Sequence, residues 1–300
     1  MLISVIITAY NRQEFLADAV KSVLNQDFDR KNYEIIVIKN YKNYDMDKFL
    51  ESNNVINIIM DGTIGEFLYK GISISHGDII SFLDDDDMFD PEKLYVISQE
   101  FTKGCKYLHN SQKLFTSKKT DVKRYNTKNL SFNLSSITIT RELIHTELLK
   151  NITTGIDNFV FYCALSQNAK LCFTDLNLTL YRIHNSMSIK FSQDIQKFKK
   201  IQYRVSESIY NQLVEYTKMF PSISSIIRND AVLNKFLMRI YHNNVKIGFN
   251  NYLHFFFSFI YGRKHSYEYK IGILYMIISL SPAKIKNAFI MKAYNRNKDL

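Results

Sequence analysis

Four runs of large apolar residues constrain this chain more than anything else in it: "LISVIIT" (2–8), "YEIIVI" (33–38), "VINIIM" (55–60) and "DIISFL" (78–83). Each is continuous rather than alternating, the pattern of a strand covered on both faces. Between them apolar residues recur at helical spacing, from Phe15 through Leu16, Ala19, Val20 and Val23, and again in "GEFLYKGISIS" (65–75). Strands alternating with helices predict a parallel, doubly wound α/β sheet. Asn11, three residues before Glu14, is expected to open the first helix as a variant capping box. Asp90 and Pro91 are expected as N-cap and first position of the helix after the fourth strand.

Past residue 105 the pattern is mixed. "SSITIT" (135–140) reads as a strand, "RELIHTELL" and "GIDNFVFYCALSQ" as helices, and "KLCFTD" and "LTLYRIH" as two further strands. From about residue 192 everything reads helical. The N-terminus lacks the basic start of a signal peptide and reads as a strand from residue 2. Cys105, Cys163 and Cys172 are odd in number and show no metal-ligand spacing, so reduced thiols in a cytoplasmic protein are expected.

The fourth strand runs straight into Asp84, Asp85, Asp86 and Asp87. The carboxyl end of a strand is where open α/β sheets bind ligands. Four adjacent carboxylates admit three readings: a solvated acidic turn, a hard-oxygen site for Mg²⁺, Mn²⁺ or Ca²⁺, or charge favoured at a helix N-terminus. An EF-hand is excluded, because the loop glycine and distal glutamate are missing.

The ordered set "VIITAYNRQEFLADAVKSVLNQ", "YEIIVI", "HGDIISFLDDDDMFDPEKL" and "LTLYRIHNSMS" strongly resembles the family-2 glycosyltransferases, inverting enzymes of the GT-A fold. The resemblance covers roughly residues 2–190. It implies a GT-A catalytic domain over 1–190 and a helical, basic and aromatic region over 191–300. It places the family's Asp-x-Asp motif on Asp84-Asp85-Asp86, with Asp86 as ligand of Mg²⁺ or Mn²⁺ and Asp84 or Asp85 toward the ribose. Thr8, Ala9 and Tyr10 fall where the family packs the nucleobase, with Arg12 just beyond, also on the nucleotide-sugar side. Asp157 matches the general base. Arg182 and His184 match the segment that closes over the diphosphate, His184 as a further metal ligand. The implied donor is a nucleotide-diphosphate sugar, a UDP-sugar favoured, and the implied acceptor a glycan or lipid-linked hydroxyl.

The chain departs from the family pattern in three places. The acidic pair ending the second strand is Lys39-Asn40, the Arg-Asn before the next helical glycine is Leu68-Tyr69, and the acidic pair near the base is Ile156-Asp157. Asn40 both donates and accepts, so it suits a uracil edge. Two other readings compete: a non-catalytic nucleotide-sugar binder, and a sugar nucleotidyltransferase. The latter is expected to carry a glycine-rich basic loop after the first strand, and "TAYNRQEF" has no glycine.

Charge divides unevenly along the chain. Residues 1–200 hold 25 Lys/Arg against 24 Asp/Glu, and residues 201–300 hold 14 against 5. The tail therefore reads either as a helical subdomain on the core or as an interfacial module for peripheral contact with an anionic membrane. It carries no nucleic-acid recognition motif, and no nucleic-acid partner is expected.

Overall fold

β1 (Ile3–Ala9) is buried at every position, as a continuous apolar run requires. It leads through α1 (Leu16–Leu24), β2 (Tyr33–Lys39), α2 (Tyr44–Ser52), β3 (Ile56–Ile59) and α3 (Ile64–Ile74) to β4 (Ile79–Asp84). β1 pairs in parallel with β2 and β4, and β2 with β3. Side chains then alternate between two cores. Ile3, Val5 and Ile7 pack with Leu16 and Val20 on one face, while Ile36, Ile38 and Phe67 form a cluster on the other. Each fully buried Val, Ile or Phe contributes about 1.5–3 kcal/mol. The computed structural model describes residues 1–115, 133–183, 194–261 and 267–298.

Beyond β4 follow β5 (Met88–Phe89), α4 (Lys93–Thr102), β6 (Tyr107–Phe115), β7 (Ile137–Thr140), α5 (Thr146–Leu149), α6 (Ile156–Ser166) and β8 (Leu171–Arg182). The eight strands form one sheet in the order β3-β2-β1-β4-β7-β6-β8-β5. β7 runs antiparallel to both β4 and β6, so the parallel half becomes a mixed sheet there. The chain divides into two compact units, Met1–Ile183 and His184–Leu300. The second contains α7 (Ile195–Met219), α8 (Ser224–Tyr241), α9 (Phe249–Tyr261), α10 (Tyr267–Leu280) and α11 (Ala283–Lys298).

Several local expectations are corrected. Asn11 does not cap α1. It sits at φ 54, in the left-handed region that Asn tolerates, and α1 begins five residues later. Asp90 accepts from the Glu92 N–H in a turn, and α4 starts only at Lys93. The strands expected at "KLCFTD" and "LTLYRIH" are joined in one, β8, which ends at Arg182 and whose register against β6 shifts at Asn110–Gln112. Cys105 and Cys172 are not free thiols but a disulfide. The β6–β8 pairing brings together two cysteines 67 residues apart, which spacing alone could not show. Cys163 is free and buried.

Candidate active site

Asp84 ends β4 directly beside Thr8 of β1, at the carboxyl edge of the parallel strands. The Asp85 N–H donates to the Thr8 carbonyl at 3.2 Å and extends the ladder by one residue. The backbone then turns, with the Asp87 N–H donating to the Asp84 carbonyl at 3.2 Å. This turn gathers Asp84, Asp86 and Asp87, one carboxylate oxygen from each lying within 4.8 Å of the others. Asp85 goes elsewhere. It is buried and bound by Arg12, whose Nε donates to Oδ2 at 3.3 Å and whose Nη2 reaches Oδ1. Arg12 Nη2 also pairs with Asp86 Oδ2 at 2.8 Å.

The electrostatics of the trio follow from crowding. Burial, and then the neighbouring charges of Asp86, Asp87 and Asp85, hold the Asp84 carboxyl well above the carboxylate range. Burial and then Asp86 push Asp87 up to about 7, although the Arg182 N–H donates to its Oδ1 at 3.0 Å and pulls the other way. Arg12 is held above its ordinary value: desolvation opposes its charge, but the bond to Asp85 and the charges of Asp85, Asp86 and Asp84 outweigh it. The donor set suits a hard divalent cation, which takes several carboxylate oxygens and relieves their repulsion. Asp84, Asp86 and Asp87 are the residues that would hold it.

Two further cations brace the turn. Arg182 donates through Nε to the Asp86 carbonyl at 2.8 Å and pairs with Asp18 through Nη2 at 2.8 Å. Its guanidinium also lies 4.5 Å from the ring centroids of both Phe15 and Phe115. Lys93 is wholly buried, donating to the Ser135 carbonyl at 2.5 Å and the Thr179 hydroxyl at 3.1 Å. The Ser135 hydroxyl in turn accepts the Asp84 N–H at 3.0 Å, which links Lys93 to the floor of the turn. Burial lowers the Lys93 ammonium well below its usual range, with Asp87 and Asp90 partly restoring it.

Asp87, Lys93 and Asp18 are the residues that motif matching passed over. Lys93 had a signal: it stands four residues before Ile97 and eight before Phe101, on the buried stripe of α4.

The nucleotide-side residues separate into two groups. Thr8 and Ala9 are buried, while Tyr10 is 58% exposed with its ring 6.1 Å from that of Phe67. Asn40 exchanges hydrogen bonds with Asn11: its Oδ1 accepts the Asn11 N–H at 2.8 Å and its Nδ2 donates to Asn11 Oδ1 at 2.7 Å. Lys39 turns away from Asn40 into the core, pairing with Asp47 of α2 at 2.6 Å and donating to the Tyr41 carbonyl at 2.6 Å. The departure from the family pattern at Lys39 therefore serves β2–α2 packing. Asp157 stands in the first turn of α6, where its Oδ1 accepts the Asn158 N–H at 2.9 Å and burial raises its pKa. Among the described contacts none joins Asp157 to the acidic turn. His184 lies outside the described residues.

Residues 4–167, more than half of the chain, match the profile of Glycosyl transferase family 2. The chain belongs to that family. Among curated relatives, family resemblance extends to an uncharacterized glycosyltransferase of Rickettsia bellii, 36% identical over 97 residues. The protein CgeD of Bacillus subtilis is 25% identical over 113 residues. These matches cover 31% and 33% of this chain but only 14% and 26% of those relatives' lengths.

Among solved structures, mannosyltransferase PcManGT from Pyrobaculum calidifontis, in complex with GDP-Man and Mn²⁺, superposes with a TM-score of 0.57 at 11% identity. That match covers 98% of this chain and 85% of the mannosyltransferase. S. aureus TarS gives 0.55 at 14%, covering 85% of this chain and 47% of TarS. A TarS fragment in complex with UDP-GlcNAc gives 0.51 at 13%, covering 81% and 86%. At these identities the likeness is one of fold, the mixed, helix-flanked sheet of the GT-A glycosyltransferases.

Proposed function

We propose that the unit Met1–Ile183 is the catalytic domain of an inverting, metal-dependent glycosyltransferase. It would move a sugar from a nucleoside-diphosphate donor to an acceptor hydroxyl on a glycan or a lipid-linked glycan. The observation that carries this reading is the convergence of Asp84, Asp86 and Asp87 within 4.8 Å at the end of β4, in a chain of this family. A bound Mg²⁺ or Mn²⁺ supplies Lewis-acid stabilisation of the charge that grows on the leaving diphosphate. Fold relatives solved with UDP-GlcNAc and with GDP-Man and Mn²⁺ lend support to a nucleotide-sugar donor.

The chain's own residues account for the rest. Tyr10, exposed at the end of β1, offers a ring face to the base, and Asn40 an amide edge once it exchanges its bonds with Asn11. A UDP-sugar is favoured, since that edge suits uracil. Arg182 holds the acidic turn in place, and His184 is proposed as a further ligand of the metal beside the diphosphate. Asp157 takes the acceptor proton as the hydroxyl oxygen bonds to the anomeric carbon and the sugar–phosphate bond breaks, its electron pair leaving on the diphosphate. Burial raises the Asp157 pKa, which makes its carboxylate a better proton acceptor than an exposed one.

Calorimetry with UDP, GDP and dTDP, each with Mn²⁺ and with EDTA, tests the metal dependence. Affinity should fall on chelation, and Asp86→Ala should abolish the Mn²⁺-dependent part while leaving the fold intact. Equal affinity with and without EDTA overturns the assignment. A panel of nucleotide-sugars assayed for transfer or donor hydrolysis separates the enzyme from a non-catalytic binder.

A further inference from the structure

Among the described side chains of α9 and α10, one side of each helix is covered within their unit and apolar residues stand exposed on another. On α9, Tyr252 and Phe255 pack against Phe236 of α8. Phe249, Leu253 and Phe256, spaced as one helical stripe, are 72%, 39% and 42% exposed. On α10, Ile278 is buried and Ile273 joins the Phe255 cluster, whereas Leu274, Ile277 and Leu280 are 49%, 54% and 59% exposed. Apolar faces of this kind are normally covered, and an exposed one marks an interaction surface.

The charge of this stretch of the chain decides between occupants. Residues 249–298 hold 8 Lys/Arg and 1 Asp/Glu, and Lys284 and Lys292 of α11 are exposed. A second copy of this chain would bring the same sign of charge to the same face, which opposes self-association. An anionic bilayer offers opposite charge at its surface and apolar volume just beneath. No helix among the described residues is long and apolar enough to cross a membrane, so the contact would lie in the interface plane. We propose that α9 and α10 dock on an anionic lipid surface, their exposed apolar stripes entering the headgroup–acyl boundary while neighbouring lysines meet lipid phosphates. This proposal stands apart from the transfer chemistry and needs neither metal nor donor.

The full chain is tested by flotation with phosphatidylcholine vesicles and with phosphatidylcholine–phosphatidylglycerol vesicles, in the presence of EDTA and without nucleotide. Binding should favour the anionic vesicles and weaken as salt rises, because the attraction is screened over about a Debye length of 8–10 Å. Phe249→Ser with Phe256→Ser should cut partitioning by about tenfold or more, and Lys284→Glu with Lys292→Glu should remove the preference for anionic lipid. Both pairs are on the surface, so thermal melts should match the parent chain. Equal partitioning to both vesicles, or none to either, overturns the proposal. So does a dimer in light scattering that the Phe249→Ser, Phe256→Ser chain loses, since that gives the face to a second copy. Nucleotide calorimetry on the same samples reports independently on the active site.

Discussion

Asp157 holds its carboxylate in the first turn of α6, where negative charge is favoured, yet burial drives its pKa upward. Those two influences describe either a helix-terminal structural residue or a general base whose proton affinity burial raises, and a single substitution separates them. Asp157→Asn keeps shape and hydrogen-bonding capacity but removes the proton acceptor. Turnover should fall by about 10²–10⁴-fold with donor affinity unchanged. Near-native turnover would leave Asp157 as a structural residue only. Lys39 makes the opposite point at the same scale. It stands where the family pattern has an acidic residue, but its side chain is consumed by Asp47 and Tyr41, which the sequence could not show because Asp47 is one acidic residue among several in α2.

At the level of elements, the helices beside the parallel strands seat closely on one another. α3 opens with a capping box in which the Thr63 hydroxyl accepts the Glu66 N–H at 3.3 Å and Glu66 accepts the Thr63 N–H at 2.7 Å. Gly65, in its first turn, lies against α5 so closely that an added Cβ would overlap the backbone carbonyls of Leu149 and Ile152. Gly65→Ala should therefore destabilise the chain by about 2 kcal/mol or more, read as a lower urea midpoint at unchanged slope, because a backbone carbonyl cannot yield as a side chain can. A shift of a few tenths would mean that α5 moves freely. β1, β2 and β4 were legible because burial on both faces leaves a continuous apolar signature, and β3 carries the same apolar run although it is only partly covered. β6 was not, and β8 was legible only as two separate strands, since their pairing carries a register shift and their exposed positions break the period. Helix starts were misjudged where Asn11 and Asp90 serve turns instead of caps. In the site, the aspartates were readable as a group, but their division was not. A tight turn sends Asp85 to Arg12 and brings Asp87 in beside Asp84 and Asp86, and turn geometry leaves no trace in a run of identical residues.

Over the whole molecule, the crowded carboxylates couple stability to pH and, on the proposed reading of the site, to metal. Asp87 titrates at about 7 in the folded chain against an ordinary 3.8. Below about pH 4 it is protonated folded and unfolded alike and contributes no difference. Between there and about pH 7 the folded chain keeps a proton that the unfolded chain has lost, so stability falls as pH rises, and above about 7 the cost of the buried charge is fully present. Asp84 is displaced in the same direction and adds to the trend. A divalent cation held as proposed would take the ionised carboxylates, so its stabilisation should grow with pH where the metal-free chain weakens. Thermal melts at about pH 5 and about pH 8 should show a larger Mn²⁺-induced rise at the higher pH. Asp87→Asn removes one of the crowded charges, so without metal it should melt above the parent at about pH 8 and converge with it near pH 4. The same variant should lose much of the Mn²⁺ shift, because an amide oxygen is a neutral and weaker ligand. Equal Mn²⁺ shifts at both pH values would detach the cation from these carboxylates, and an Asp87→Asn chain that melts below the parent at about pH 8 would show the anion to be stabilising where it stands.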